Sequence, residues 1–177
     1  MARYVAFLRA VNVVGQNVLT MDELRRLLAR IGLEGVSTHG ASGNVIFDAE
    51  PPKAETRAAI ETALRRRLRK DVVAILRTPA ELARTVRAAP FDSESPKTPR
   101  RFVTFLADGR VGALPPATRP GDPEFLGSAG RDVFSLLTIE GGRFRDPTLA
   151  LERAFGTKAT TRSWRVVQDV AARARTR

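Results

Sequence analysis

The chain opens on an apolar run, Tyr4–Val11, rich in β-branched and aromatic side chains on both faces. That pattern predicts a central strand, covered on both sides or lying at a subunit contact. Thr20 and Glu23 then form the signature of a capping box, followed by Met21, Leu24, Leu27, Leu28 and Ile31 at helical spacing. Gly32 is the expected left-handed stop. Two short alternating runs, Gly35–His39 and Asn44–Asp48, flank Gly40–Gly43 and predict a hairpin. A second helix is expected from Pro51–Pro52 to about Lys70, burying Ile60, Leu64 and Leu68, and Val72–Leu76 predicts a further strand. The order is strand, helix, strand, strand, helix, strand, which is the ferredoxin-like split βαβ arrangement.

The second half is less regular. Thr78 and Glu81 repeat the capping-box pattern with Pro79 at the first helical position, and the helix is expected to end before Pro90. Asp92–Arg100 predicts an exposed loop and Arg101–Ala107 a strand. Gly109–Pro123 holds four prolines and three glycines, so a long irregular connection is expected there. Phe125–Leu126 and Asp132–Ile139 predict strands, Asp146–Gly156 a short helix, and Trp164, Val167, Val170, Ala171 and Ala174 one face of a last helix. Thr160, Thr161 and Arg162 are read as its cap. The fold class is therefore α+β: a βαββαβ half over 1–77, and a second α+β half over 78–177 that docks on it and ends in helices. That the two halves are diverged copies is an open reading, with no residue-level repeat seen to prove it.

The topology has a consequence that no local motif carries. In an antiparallel sheet of order 4-1-3-2, the end of strand 1 and the strand 2–3 hairpin share one edge. Arg9, Asn12 and the Gly15–Asn17 turn are thus expected beside His39, Ser42, Gly43 and Asn44. Arg supplies a bidentate fork and turn amides can form a nest, so this edge is a candidate site for a phosphate or carboxylate. The competing reading is structural, with Asn12, Asn17, Ser42 and Asn44 satisfying turn backbone.

Charge adds a third reading. The formal net charge is +11, carried by 30 Lys and Arg of which four are Lys. A basic surface points towards polyanions, and the Arg65–Lys70 run or Arg101–Phe105 can be read as gripping nucleic acid without sequence preference. As a helix end, Arg65–Lys70 equally complements the helix dipole. The absence of cysteine and the single histidine, His39, exclude disulfides, thiolate metal sites and multi-His metal cages. Ser42 beside His39 is not a nucleophile elbow, because the turn leads into a strand. No catalytic constellation, metal site or cofactor motif is recognised. No stretch approaches the roughly 20 apolar residues of a membrane span, and a cytoplasmic protein of unknown oligomeric state is expected.

The runs LRAVNVVGQN and MDELRRLL, then SGNVIF, and finally GTKATTRSWRVV, resemble the bacterial family called domain of unknown function 1697. The resemblance implies a two-part α+β fold of ferredoxin-like character, with no established activity. It maps the family's motifs onto Arg9, Asn12 and Gly15, onto Ser42, Gly43 and Asn44, and onto Thr160, Thr161, Arg162 and Trp164. The family usually carries glycine where this chain has Ala10 and Val14, and often asparagine at Ser163. Arg162 and Trp164 are supporting candidates, Arg162 reaching an acidic partner or the first-half site and Trp164 packing in the core.

Overall fold

In this computed structural model the chain is described over residues 1–11, 19–91, 100–138 and 145–176. Two compact units emerge, one of Met1–Glu81 with Val170–Arg177 and one of Leu82–Asp169.

The first unit runs β1 (Ala2–Arg9), α1 (Met21–Arg30), β2 (Glu34–His39), β3 (Asn44–Ala49), α2 (Lys53–Leu68) and β4 (Val73–Arg77). Its antiparallel sheet has the order β2-β3-β1-β4, as the pattern implied. β1 stops at Arg9 because Ala10 turns into the left-handed region at φ 66°. Tyr4, Ala6 and Leu8 face the helices and pack with Val45, Phe47, Leu24, Leu28, Ile60, Leu64 and Leu68. The alternate residues Val5 and Phe7 are also fully buried, so the doubly apolar strand is covered on both faces. The expected capping box is formed, Glu23 N–H donating to Thr20 Oγ1 and Thr20 N–H to Glu23 Oε2. α2 ends without a glycine: Arg69 takes the left-handed cap at φ 56°.

The second unit contains α3 (Pro79–Ala88) from Leu82 onward, then β5 (Arg100–Leu106), β6 (Glu124–Ala129), β7 (Asp132–Leu137), α4 (Pro147–Phe155), β8 (Ala159–Ser163) and the first half of α5 (Trp164–Arg175), to Asp169. Its sheet order is β6-β7-β5-β8. Thr160–Arg162 therefore belong to a strand, which corrects their reading as a helix cap. β5 supplies the ladder that holds them, pairing Phe105 with Thr160 and Val103 with Arg162. Their polar pattern conceals this, because Thr161 meets its neighbours through hydroxyls: its Oγ1 lies 2.7 Å from both Thr104 Oγ1 and Thr148 Oγ1.

The two sheets are the same sheet drawn twice, and the repeat is present in the residues after all. Arg3–Leu8 (RYVAFL) and Arg101–Leu106 (RFVTFL) coincide at Arg, Val, Phe and Leu. Leu8 N–H donates to Gly43 O at 2.9 Å, and Leu106 N–H donates to Arg131 O at 3.0 Å. Phe7 pairs with Asn44 and Phe105 with Asp132. Val5 pairs with Arg77 and Val103 with Arg162, both arginines buried. On each edge strand an alanine N–H is satisfied by a glutamate of the preceding helix: Ala74 by Glu61 at 3.0 Å, Ala159 by Glu152 at 2.9 Å. These carboxylates blunt an edge that would otherwise present a free donor. The outer strands β2 and β6 each break register beside a glycine of positive φ, Gly35 and Gly127.

Candidate functional site

The edge predicted from topology exists in part. Gly43 closes the β2–β3 loop against β1 through its bond to Leu8 N, at φ 73°. A Cβ at this position would meet Leu8 Cβ at 3.0 Å, so both backbone conformation and space demand glycine. Asn44 is fully buried at the first rung of β3. Its Nδ2 donates to His39 O at 2.9 Å and to Ser42 Oγ at 3.1 Å. One amide thus ties both sides of the turn together and aims the loop.

Ser42 itself is exposed, while His39 and Arg9 are half-buried. Arg9 follows directly on the Leu8–Gly43 bond, which places the strand end and the Ser42 turn next to one another. Asn12, Gly15 and Asn17 lie outside the described residues. The polar motif therefore divides: Gly43 and Asn44 build the turn, and Arg9 and Ser42 are what the turn presents.

The supporting residues lie in the second unit. Arg162 is buried, its Nη1 donating to Thr160 Oγ1 at 2.7 Å and to Thr161 O at 2.9 Å. Burial pushes its guanidinium down to about 10, so it remains charged at neutral pH. Trp164 packs its ring edgewise on Phe91 with centroids 5.2 Å apart, the core role that its helical spacing suggested.

Of the residues offered for nucleic acid, two of the five cations in Arg65–Lys70 are in ion pairs. Arg65 pairs with Asp71 at 3.0 Å and Arg67 with Glu23 at 3.1 Å, in the last turns of α2. Phe105 is fully buried and Phe102 half-buried, so they do not form a shared stacking face. Among the described residues there is no group of His, Asp or Glu able to hold a metal ion. No helix there is long and apolar enough to cross a membrane.

Sequence reasoning missed a cleft in the second unit of about 880 Å³, lined by Pro115, Pro116, Phe125, Arg145, Leu149 and Arg153 among others. The only signal in the sequence was the proline-rich run Gly109–Pro123, which read as connection and not as wall.

Comparison with known proteins agrees with this architecture. Residues 1–122 match the family described as "Protein of unknown function (DUF1697)", and the chain belongs to that family. The third motif, at Thr160–Trp164, lies beyond the matched segment. A solved structure, that of the conserved bacterial protein SP0830 from Streptococcus pneumoniae, superposes with a TM-score of 0.72 at 20% identity, covering 99% of each chain. That likeness establishes a shared α+β fold. No curated protein matches the chain.

Proposed function

We propose that this member of the family is a non-catalytic binding protein for a small anionic or nucleotide-like ligand, taken at the edge where β1 ends beside the β2–β3 turn. The first unit is read as ferredoxin-like, a reading supported by its element order and its β2-β3-β1-β4 sheet. The observation that carries the functional reading is the Leu8–Gly43 hydrogen bond at 2.9 Å. It joins a strand end bearing Arg9 to an exposed turn bearing Ser42. Arg9 supplies a charge-assisted fork, Ser42 a hydroxyl, and Asn44 the amide that ties the turn together.

Calorimetry with a panel of nucleotides and phosphorylated metabolites tests this. One anion class should bind, and Arg9→Ala should weaken it by roughly tenfold or more, the value of one charge-assisted hydrogen bond. Binding that Arg9→Ala leaves unchanged would overturn the assignment.

A structural reading of the motif is favoured by one observation, the complete burial of Asn44. It expects Asn44→Ala to lower the melting temperature while Arg9→Ala and Ser42→Ala change no binding. The two readings thus part on Arg9, not on Asn44.

A further inference from the structure

In the first unit, the chain between the first two strands forms α1, which buries Leu24 and Leu28 completely on the sheet. The second unit repeats the sheet without repeating that helix. Residues 107–123 take its topological place as irregular backbone. Val111, Leu114 and Phe125 cover part of the face alongside Leu106, Val133 and Leu151. What the run does not cover is the cleft of about 880 Å³ between the prolines, β6 and α4, within the range of small-molecule sites. One feature marks the cleft wall as incompletely covered: Leu149 is 47% exposed there.

The charges at the cleft are unequal in what they leave over. Asp122 Oδ2 accepts from Thr118 N, Thr118 Oγ1 and Arg119 N, and its Oδ1 faces Arg145 Nε at 3.2 Å. The Thr118 N–H, against a smaller opposing effect of desolvation, holds this carboxyl below its ordinary range. Asp146 caps α4, accepting from Thr148 N at 2.8 Å. Asp122 is thus engaged by two backbone N–H groups, a hydroxyl and Arg145, and Asp146 by the N–H of Thr148. Arg153 is exposed on α4, one turn beyond Leu149, and these two form a basic head and an apolar body on one helix face.

We infer that this cleft binds a small amphiphilic anion, an alkyl or aryl carboxylate whose charged group meets Arg153 and whose body lies on Leu149, Phe125 and the prolines. The helix that the repeat lacks is replaced by a ligand that buries the same kind of surface. This site is independent of the Arg9 edge.

Titration of the full chain with acetate, butyrate and octanoate, and with octanol as the uncharged control, tests it. Affinity should rise steeply with chain length, and octanol should bind more weakly than octanoate. Arg153→Ala and Leu149→Asp should each weaken octanoate by about tenfold or more, while Arg9→Ala leaves it unchanged. Melting curves of the variants, expected to match the unaltered protein because both positions are exposed, separate lost binding from lost fold. Three results would each overturn the proposal: no octanoate binding, binding that neither cleft variant changes, or binding abolished by Arg9→Ala alone.

Discussion

The first unit covers the inner face of its sheet with two helices, whereas the second covers the matching face with one helix and a proline-rich run. Both keep the same frame: the RYVAFL or RFVTFL strand, the buried arginine on the fourth strand, and the glutamate that satisfies an edge alanine. What differs lies where the frame is not constrained. The first unit closes its central hairpin over Gly40–Gly43, and the second turns in two residues, Gly130 and Arg131. The two extra residues, Ala41 and Ser42, are exposed. A four-residue turn projects a hydroxyl beside Arg9, while a missing helix opens a cleft beside Arg153. The two sheets thus depart from one another at two places, and these are where the two proposed sites lie.

The largest expected effect tests whether α1 does what the cleft leaves undone. Leu28→Ala should cost about 2–5 kcal/mol in chemical denaturation, and Leu149→Ala less than about 0.5 kcal/mol. Similar losses at the two positions would mean that the cleft is a packed core. Next comes the hairpin pair. Gly43→Ala adds a contact at 3.0 Å to a left-handed conformation, whereas Gly130 at φ 62° has open space around it. The first substitution should cost about 2–4 kcal/mol and the second about 1 kcal/mol.

A smaller effect concerns the helix that follows each fourth strand. α3 begins on a capping box in which Thr78 N–H donates to Glu81 Oε2 at 2.7 Å, as does Lys53 Nζ, whereas Trp164 follows β8 directly. Burial pushes the Glu81 carboxyl up, but Lys53 and the Thr78 N–H outweigh it and hold the group below its ordinary value. A carboxyl depressed in the folded state stabilises above its unfolded pKa of about 4.3, and that contribution is lost as pH falls through the folded value. Glu81→Gln should therefore cost about 1 kcal/mol at neutral pH and flatten the acid limb of the stability curve. The smallest effect is a gain. Ala10→Gly relieves a left-handed φ of 66°, for about 0.5 kcal/mol after the added unfolded-state entropy. The family usually has glycine there, and the φ is a physical reason for it.

Much of the first unit was legible because its periodicities are clean. Thr20 and Glu23 announce α1, and Leu24 and Leu28 at helical spacing announce what it buries. The edge between Arg9 and Ser42 followed from strand order alone. β8 was not legible, since Thr160, Thr161 and Arg162 carry no apolar alternation and their face is matched by Thr104 and Thr148 hydroxyls. The repeat escaped because its second copy lacks the helix that would have aligned it, leaving four matching residues in a run of six between distant strands. The division within Ser42–Asn44 was also hidden: nothing in the residue types says that Asn44 is buried and Ser42 exposed. The cleft was hidden most completely, because a helix that is absent leaves only prolines and glycines as its trace.

Two separate binding sites at the two departures from the repeat would respond separately to substitution. The most direct measurement is a parallel calorimetric titration of phosphorylated metabolites and of octanoate into the unaltered protein, Arg9→Ala and Arg153→Ala. Arg9→Ala should weaken only the phosphorylated ligand, and Arg153→Ala only octanoate. A single variant that removes both, or two variants that remove neither, would contradict it.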